Sequence, residues 1–195
     1  MCPVSFAALL LLPTLQAPVG SPAIAPGDNA LIALVLKEVA GPGAYTVVSP
    51  RTRLGMSDRE GAEAIEHTRT FLKNGLRIPG YDPSALVDAL IEANRTQQTL
   101  TLPSNPEGGF LVDYDGRFAR YFESGGGGWE RLRSENPGAR GQTRISIPVL
   151  DKEHHLLLVY VGTQYDWLAG SGHVIAYRLE KGRLREVGSV MMWIS

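Results

Sequence analysis

Residues 144–195 read RISIPVLDKEHHLLLVYVGTQYDWLAGSGHVIAYRLEKGRLREVGSVMMWIS, and this stretch decides the fold. Ile145 to Leu150 forms a first expected strand, with Ile145, Ile147 and Val149 on one face. Asp151-Lys152-Glu153 is a polar turn. The run Leu156-Leu157-Leu158-Val159-Tyr160-Val161 is apolar without interruption, which suits a central strand covered on both faces. Gly162 to Gly172 reads as a Gly-rich loop. His173 to Glu180 alternates again, with Val174 and Ala176 on one face and Ile175, Tyr177 and Leu179 on the other. Lys181-Gly182 makes a turn, and Arg183 to Ile194 returns. Short connections favour antiparallel neighbours, so a meander is the economical reading. Trp193 and Ile194 are too apolar to hang free, and the expectation is that they are tied into the sheet.

Ser146 in a strand, Leu158-Val159-Tyr160-Val161, Ala169-Gly170-Ser171-Gly172 and Trp193-Ile194-Ser195 resemble the C-terminal halves of a loose group of uncharacterised secreted bacterial proteins. The likeness covers roughly the last third of the chain and, more faintly, Phe110 to Asn136. Leu184 stands where the pattern has Trp, and Pro148 interrupts the strand after Ser146. The resemblance implies secretion and a shared sheet and brings no activity with it.

The chain has 195 residues, 44% hydrophobic and 20% charged, with a net charge of -1. That is enough for one hydrophobic core, and the near-neutral balance argues against a nucleic-acid binder. Val4 to Leu15 is an apolar segment too short to span a bilayer, followed by small residues with Ser21-Pro22-Ala23 as a cleavage site. The expected organisation is a signal peptide over 1–23, a linker over 24–28 and a single α+β domain over 29–195. Such a protein is secreted or periplasmic and has no stable membrane span once the signal is removed. Cys2 is the sole cysteine, so the mature domain would have no disulfide, no thiol nucleophile and no thiolate metal site.

Upstream of the sheet, Asp28 or Asn29 is read as the cap of a helix ending at Ala40, stopped by Gly41-Pro42-Gly43. Tyr45 to Val48 is a strand. Ser57 and Glu60, with Met56 as staple, form a capping box for a helix reaching Asn74. Asp82-Pro83 starts a third helix, Ser84 to Ala93. Thr99 to Leu102 is a short strand, and Asp115-Gly116 is the turn of a hairpin between Phe110–Tyr114 and Arg117–Phe122. A helical turn covers Trp129 to Ser134. Helices first and strands later give an α+β class, with three N-terminal helices packed on one face of a mainly antiparallel sheet.

Candidate chemistry is sparse. His67, His154-His155 and His173 do not carry metal-ligand spacing, and adjacent histidines on a strand point to opposite faces. Asp113-Tyr114-Asp115-Gly116 lacks the remaining ligands of a calcium loop. Gly125 to Gly128 lacks the Lys-Ser/Thr of a phosphate cradle. Arg51, Arg53 and Arg59 cluster after the first strand, with a solvated face as the default. Asn94-Arg95-Thr96 matches a glycosylation sequon by accident of composition. The richest segment is Gly162 to Gly172 with its flanking histidine. Its Tyr165, Asp166, Trp167, Ser171 and His173 are the candidate binding residues, because loop aromatics favour recognition; the competing reading is that Trp167 folds back as a lid on the sheet edge. No catalytic residue, metal or cofactor is assigned. The expected function is non-enzymatic binding of a protein or small-molecule ligand in association with the cell envelope. The alternative is a hydrolase-like enzyme with His173 or His155 as general base near Ser171.

Overall fold

A computed structural model describes residues 26–55 and 62–195. The expected signal segment, Met56, the Ser57–Glu60 capping box and Arg59 lie outside those residues. The elements are α1 (Pro26–Ala40), β1 (Tyr45–Val48), α2 (Ala62–Gly75), α3 (Ser84–Ala93), β2 (Phe110–Val112), a 3-10 turn (Ala119–Phe122), α4 (Gly128–Glu135), β3 (Ala139–Ile145), β4 (Val149–Asp151), β5 (Leu156–Asp166), β6 (Ala169–Glu180) and β7 (Arg183–Ile194). All strands belong to one sheet in the order β2-β1-β3-β5-β6-β7, with β4 also paired to β5. β1 runs parallel to β2 and β3; the other pairings are antiparallel. The class is α+β with a mostly antiparallel, mixed sheet.

β5 is the spine. Its residues Leu156 to Thr163 are all buried, and successive side chains enter different cores. Leu157, Val159 and Val161 share a cluster with Ile32, Val35 and Leu36 of α1. Leu156, Leu158 and Tyr160 share another with Leu72 and Leu76 of the α2 segment and with Leu86, Val87, Leu90 and Ile91 of α3. The expectation of three helices on one face is therefore corrected: α1 packs against one face, and α2 with α3 against the other. The reason is in β5 itself, because a strand apolar at every position needs cover on both sides.

Helix boundaries follow local chemistry. α1 begins at Pro26, so Pro26, Gly27 and Asp28 are helix rather than linker; proline suits a first turn and an acid there complements the helix dipole. Gly41 and Gly43, both with φ of 70°, end it. At α3, the Asp82 carboxylate accepts the Ser84 N–H at 3.0 Å and its hydroxyl at 2.7 Å.

Three local expectations change. Ile145 to Leu150 is not one strand; β3 and β4 flank a break at Ser146-Ile147-Pro148, and both lie along β5. Pro148 cannot donate to a ladder. The break is sealed by side chains: the Ser146 hydroxyl accepts the Tyr160 N–H at 2.9 Å. Asn94 accepts the Ile147 N–H at 2.7 Å and donates to the Ile147 carbonyl at 2.9 Å. The sequon asparagine is thus a structural plug. Second, Arg117 to Phe122 is no hairpin strand. The Asp113 carboxylate, almost wholly buried, accepts the N–H of Phe118 and of Ala119, both at 3.1 Å, and turns the chain into the 3-10 segment. Third, Thr99 makes only an isolated bridge to Arg51.

The largest correction concerns Gly162 to Gly172. It is a tight hairpin rather than a loop, with β5 reaching Asp166 and β6 starting at Ala169. Its glycines are there for close approach. A Cβ on Gly172 would overlap the Trp193 indole nitrogen, and one on Gly162 would overlap the Tyr160 hydroxyl. Trp193 lies across both glycines and donates to the buried Tyr160 hydroxyl at 2.8 Å. Burial first raises the Tyr160 pKa, and the bond from Trp193 works against that rise. Trp193 and Ile194 are tied in by pairing with Gly172 and Ser171, although the Ile194 side chain stays 71% exposed. No helix among the described residues is long and apolar enough to cross a membrane.

Candidate functional site

The pairing Asp166↔Ala169 leaves Trp167 and Leu168 as the two central residues of the β5–β6 turn. Both are exposed, Trp167 at 61% and Leu168 at 86%, and Tyr165 beside them at 44%. The turn is nevertheless held firmly. Asp166 accepts the Trp167 N–H at 2.7 Å through one carboxylate oxygen and Arg133 Nη2 at 2.9 Å through the other. The same Arg133 nitrogen donates to the Tyr165 carbonyl at 2.6 Å. The Arg133 bond, followed by the Trp167 N–H, holds the Asp166 carboxyl below the usual carboxylate range. Arg133 and Asp166 are about half exposed, so the ion pair contributes little net stability. Its effect is orientation, because it fixes the turn to α4.

The second support is aromatic. Phe122 meets Trp167 edge-on at 5.8 Å and Trp129 edge-on at 4.7 Å. Trp129 is buried, and the Arg133 guanidinium lies 5.9 Å from its ring. Gly128, with φ of 59°, opens α4 directly against Trp167; a Cβ there would sit 2.8 Å from the indole ring. Of the glycine run, Gly126 packs on the Arg120 and Tyr121 carbonyls and Gly128 lies under Trp167. One edge of the indole is anchored and the rest is offered to solvent. Tyr165 lies across Gly141, where a Cβ would come within 3.2 Å of its ring.

Ser171 and His173 are strand residues of β6, paired with Thr163 and Val161. Two positions apart, they share one face and are partly buried. Among the described residues, no side-chain hydrogen bond joins either of them to a carboxylate. That face carries a chain of hydroxyls instead. Thr46 bonds Thr143, and Thr143 bonds Thr163 at 2.9 Å, all three buried. This ladder satisfies polar groups inside the sheet.

Of the five predicted binding residues, the structure brings Tyr165, Asp166 and Trp167 together at the tip and places Ser171 and His173 further down the strand. Sequence reasoning missed Leu168, Arg133, Phe122 and Gly128. The available signal for Leu168 was two consecutive apolar residues at the midpoint of a symmetric pair of strand segments. It was hidden because three glycines made both segments look like loop.

The comparisons with protein-family models, curated proteins and solved structures find no match.

The other polar clusters are structural in form. Asp151 accepts the Tyr81 hydroxyl at 2.7 Å, His154 Nδ1 at 2.9 Å, and the backbone N–H of Glu153 and His154 at 3.0 and 3.1 Å. The Tyr81 bond leads in lowering the Asp151 pKa to about 2. Burial, then Asp151, raises that of Tyr81 to about 12. This network closes the β4–β5 turn. His155, at φ 54°, belongs to that turn, and its carbonyl accepts the Leu179 N–H. Among the described residues, no group of three His, Cys, Asp or Glu side chains is placed to hold a metal. The positive charges of Arg144 and Arg53 also work against the rise of the Tyr160 pKa, and burial, then Arg144, lowers that of Arg53. An open cleft of about 620 Å³ lies at the opposite end of β6 and β7, lined by Pro79, Arg178, Arg185 and neighbours. Its charged, open form is unlike the enclosed apolar pockets that take small molecules.

Proposed function

We propose that this chain is a secreted or periplasmic, non-enzymatic binding protein associated with the cell envelope, and that it engages its partner through the β5–β6 tip. The observation carrying this reading is a rigid turn with Trp167 61% and Leu168 86% exposed, braced from behind by Arg133, Phe122 and Gly128. Exposed aromatics on a fixed support lose little entropy on binding, which is the property of recognition anchors. Tyr165 and Asp166 flank the anchor. Ser171 and His173, lower on β6, would contact only a partner that extends down that strand. The apolar segment Val4 to Leu15 and the resemblance of the last third to secreted bacterial proteins support the location. The hydrolase alternative is less favoured: among the described residues no carboxylate bonds Ser171 or His173 on their shared strand face, and His155 is committed to a turn.

The test is co-sedimentation of the full chain with its own envelope fraction. The paired change Tyr165→Ala and Trp167→Ala is expected to abolish capture, with a melting temperature within about 2 °C of the parent, since exposed substitutions cost little stability. Undiminished capture by this variant would remove the tip from the function.

A further inference from the structure

The chemistry of the turn goes further than binding in general. Two hairpins in this sheet close with two central residues, and they differ. Lys181-Gly182, between β6 and β7, has φ values of 52° and 75°, the positive pair that matches strand twist. Trp167 and Leu168 hold the equivalent place between β5 and β6 with neither φ positive. They are large and apolar where turn chemistry favours Asn, Asp or Gly. Leu168, 86% exposed, contributes almost nothing to the fold from there. Local rules broken without a gain in packing mark a functional position.

We infer that the Trp167–Leu168 tip is an interfacial anchor that seats this chain on a lipid bilayer surface; this rests on the reading of the tip as the binding site. Size selects the occupant. The register sets Ile194 beside Ser171, on the side of the sheet that carries Thr163 and Tyr165. Tyr165, Trp167 and Leu168 are the exposed apolar side chains of the tip, and Ile194 is exposed further down, on β7, on the Tyr165 side. With large side chains covering about 150–250 Å² each, their exposed fractions amount to roughly 500 Å². A stable protein interface takes about 800 Å² from each partner. An exposed apolar area of this size falls short of that, whereas a bilayer accepts it without a complementary surface. Tryptophan prefers the headgroup boundary, and an aliphatic neighbour gains by entering the acyl region next to it. The cations that α4 brings toward the tip are already matched, Arg133 with Asp166 at 2.9 Å and Arg131 with Glu135 at 2.7 Å. Attraction to anionic lipid is therefore not the driving term, and binding depends little on lipid charge or salt.

The test uses the full chain and vesicles of phosphatidylcholine, alone or with phosphatidylglycerol. An environment-sensitive dye is placed by Leu168→Cys in a Cys2→Ser background. The inference expects the dye to shift blue and to be quenched by brominated acyl chains on both vesicle types, at low and high salt. It also expects unlabelled Leu168→Asp to lower the vesicle partition coefficient by roughly tenfold at unchanged melting temperature, from the apolar carbons withdrawn. Co-sedimentation with an unshifted dye would overturn it, since residues 4–15 would then be the anchor. If vesicles are ignored while a detergent-solubilised envelope protein is captured in a Trp167-dependent way, the lipid inference fails and the binding function stands. If neither vesicles nor envelope components respond to Trp167→Ala, both fail.

Discussion

Replacing Gly172 by alanine tests the architecture around the hairpin at its tightest point. In an exposed flexible loop the change would be neutral, or would stabilise by about 0.4–1 kcal/mol through the unfolded chain. Here the added methyl would overlap the Trp193 indole nitrogen, and the indole has to move. Moving it breaks the 2.8 Å bond to the Tyr160 hydroxyl, a group with no exposed surface. An unsatisfied buried hydroxyl costs about 1–3 kcal/mol. Displacing part of a large aromatic from its packing adds about 1 kcal/mol or more. The expected loss is therefore about 2–4 kcal/mol, opposite in sign to the loop case. Urea denaturation of the full chain followed by circular dichroism reads it as a shift in midpoint at constant slope. Gly27→Ala in α1, where no atom lies within 4 Å of the new Cβ, is the control and should gain about 0.5–1 kcal/mol. In a Trp193→Leu background, Gly172→Ala should lose most of its cost, because the clash is with the indole. A neutral or stabilising Gly172→Ala would refute the account of why glycine sits in this strand.

Two further outcomes follow from the buried polar contacts. Asn94→Ala should cost about 2–4 kcal/mol in the same denaturation assay, since it strands both backbone groups of nearly buried Ile147; Asn94→Asp keeps the acceptor for the Ile147 N–H and should lose less. Asp151, with its folded pKa lowered to about 2, adds stability above its unfolded value near 4 that is lost as pH falls from there through about 2. Tyr81→Phe should move the Asp151 carboxyl resonance, followed by NMR titration, upward toward the ordinary range and narrow that window; an unmoved titration would disprove the role given to the tyrosine.

Much of the local grammar was legible in residue order. Gly41-Pro42-Gly43 stops α1, Asp82-Pro83 opens α3, Lys181-Gly182 turns β6 into β7, and the unbroken run Leu156 to Val161 is a strand buried on both faces. Each depends on neighbours within a few positions, which is the range over which propensity, capping and periodicity act. Part of the candidate site was legible too, because Tyr165 and Trp167 are aromatics in a polar, Gly-rich setting.

Other features were set by partners distant in the chain. Gly162 and Gly172 belong to strands because Trp193 must lie over them and reach Tyr160. Pro148 is tolerated beside β5 because Asn94, from another element, supplies the bonds it interrupts. β1 pairs in parallel with β2 and β3, across connections that impose no direction of their own. The tip is held in place because Arg133, Phe122 and Gly128 arrive beneath it from α4 and the turn before it. Sequence by itself determined where the chain bends and which runs must be hidden from water. Tertiary structure decided which glycines make room and which exposed side chains are held still, because van der Waals exclusion and buried hydrogen bonds act between atoms close in space whatever their separation along the chain.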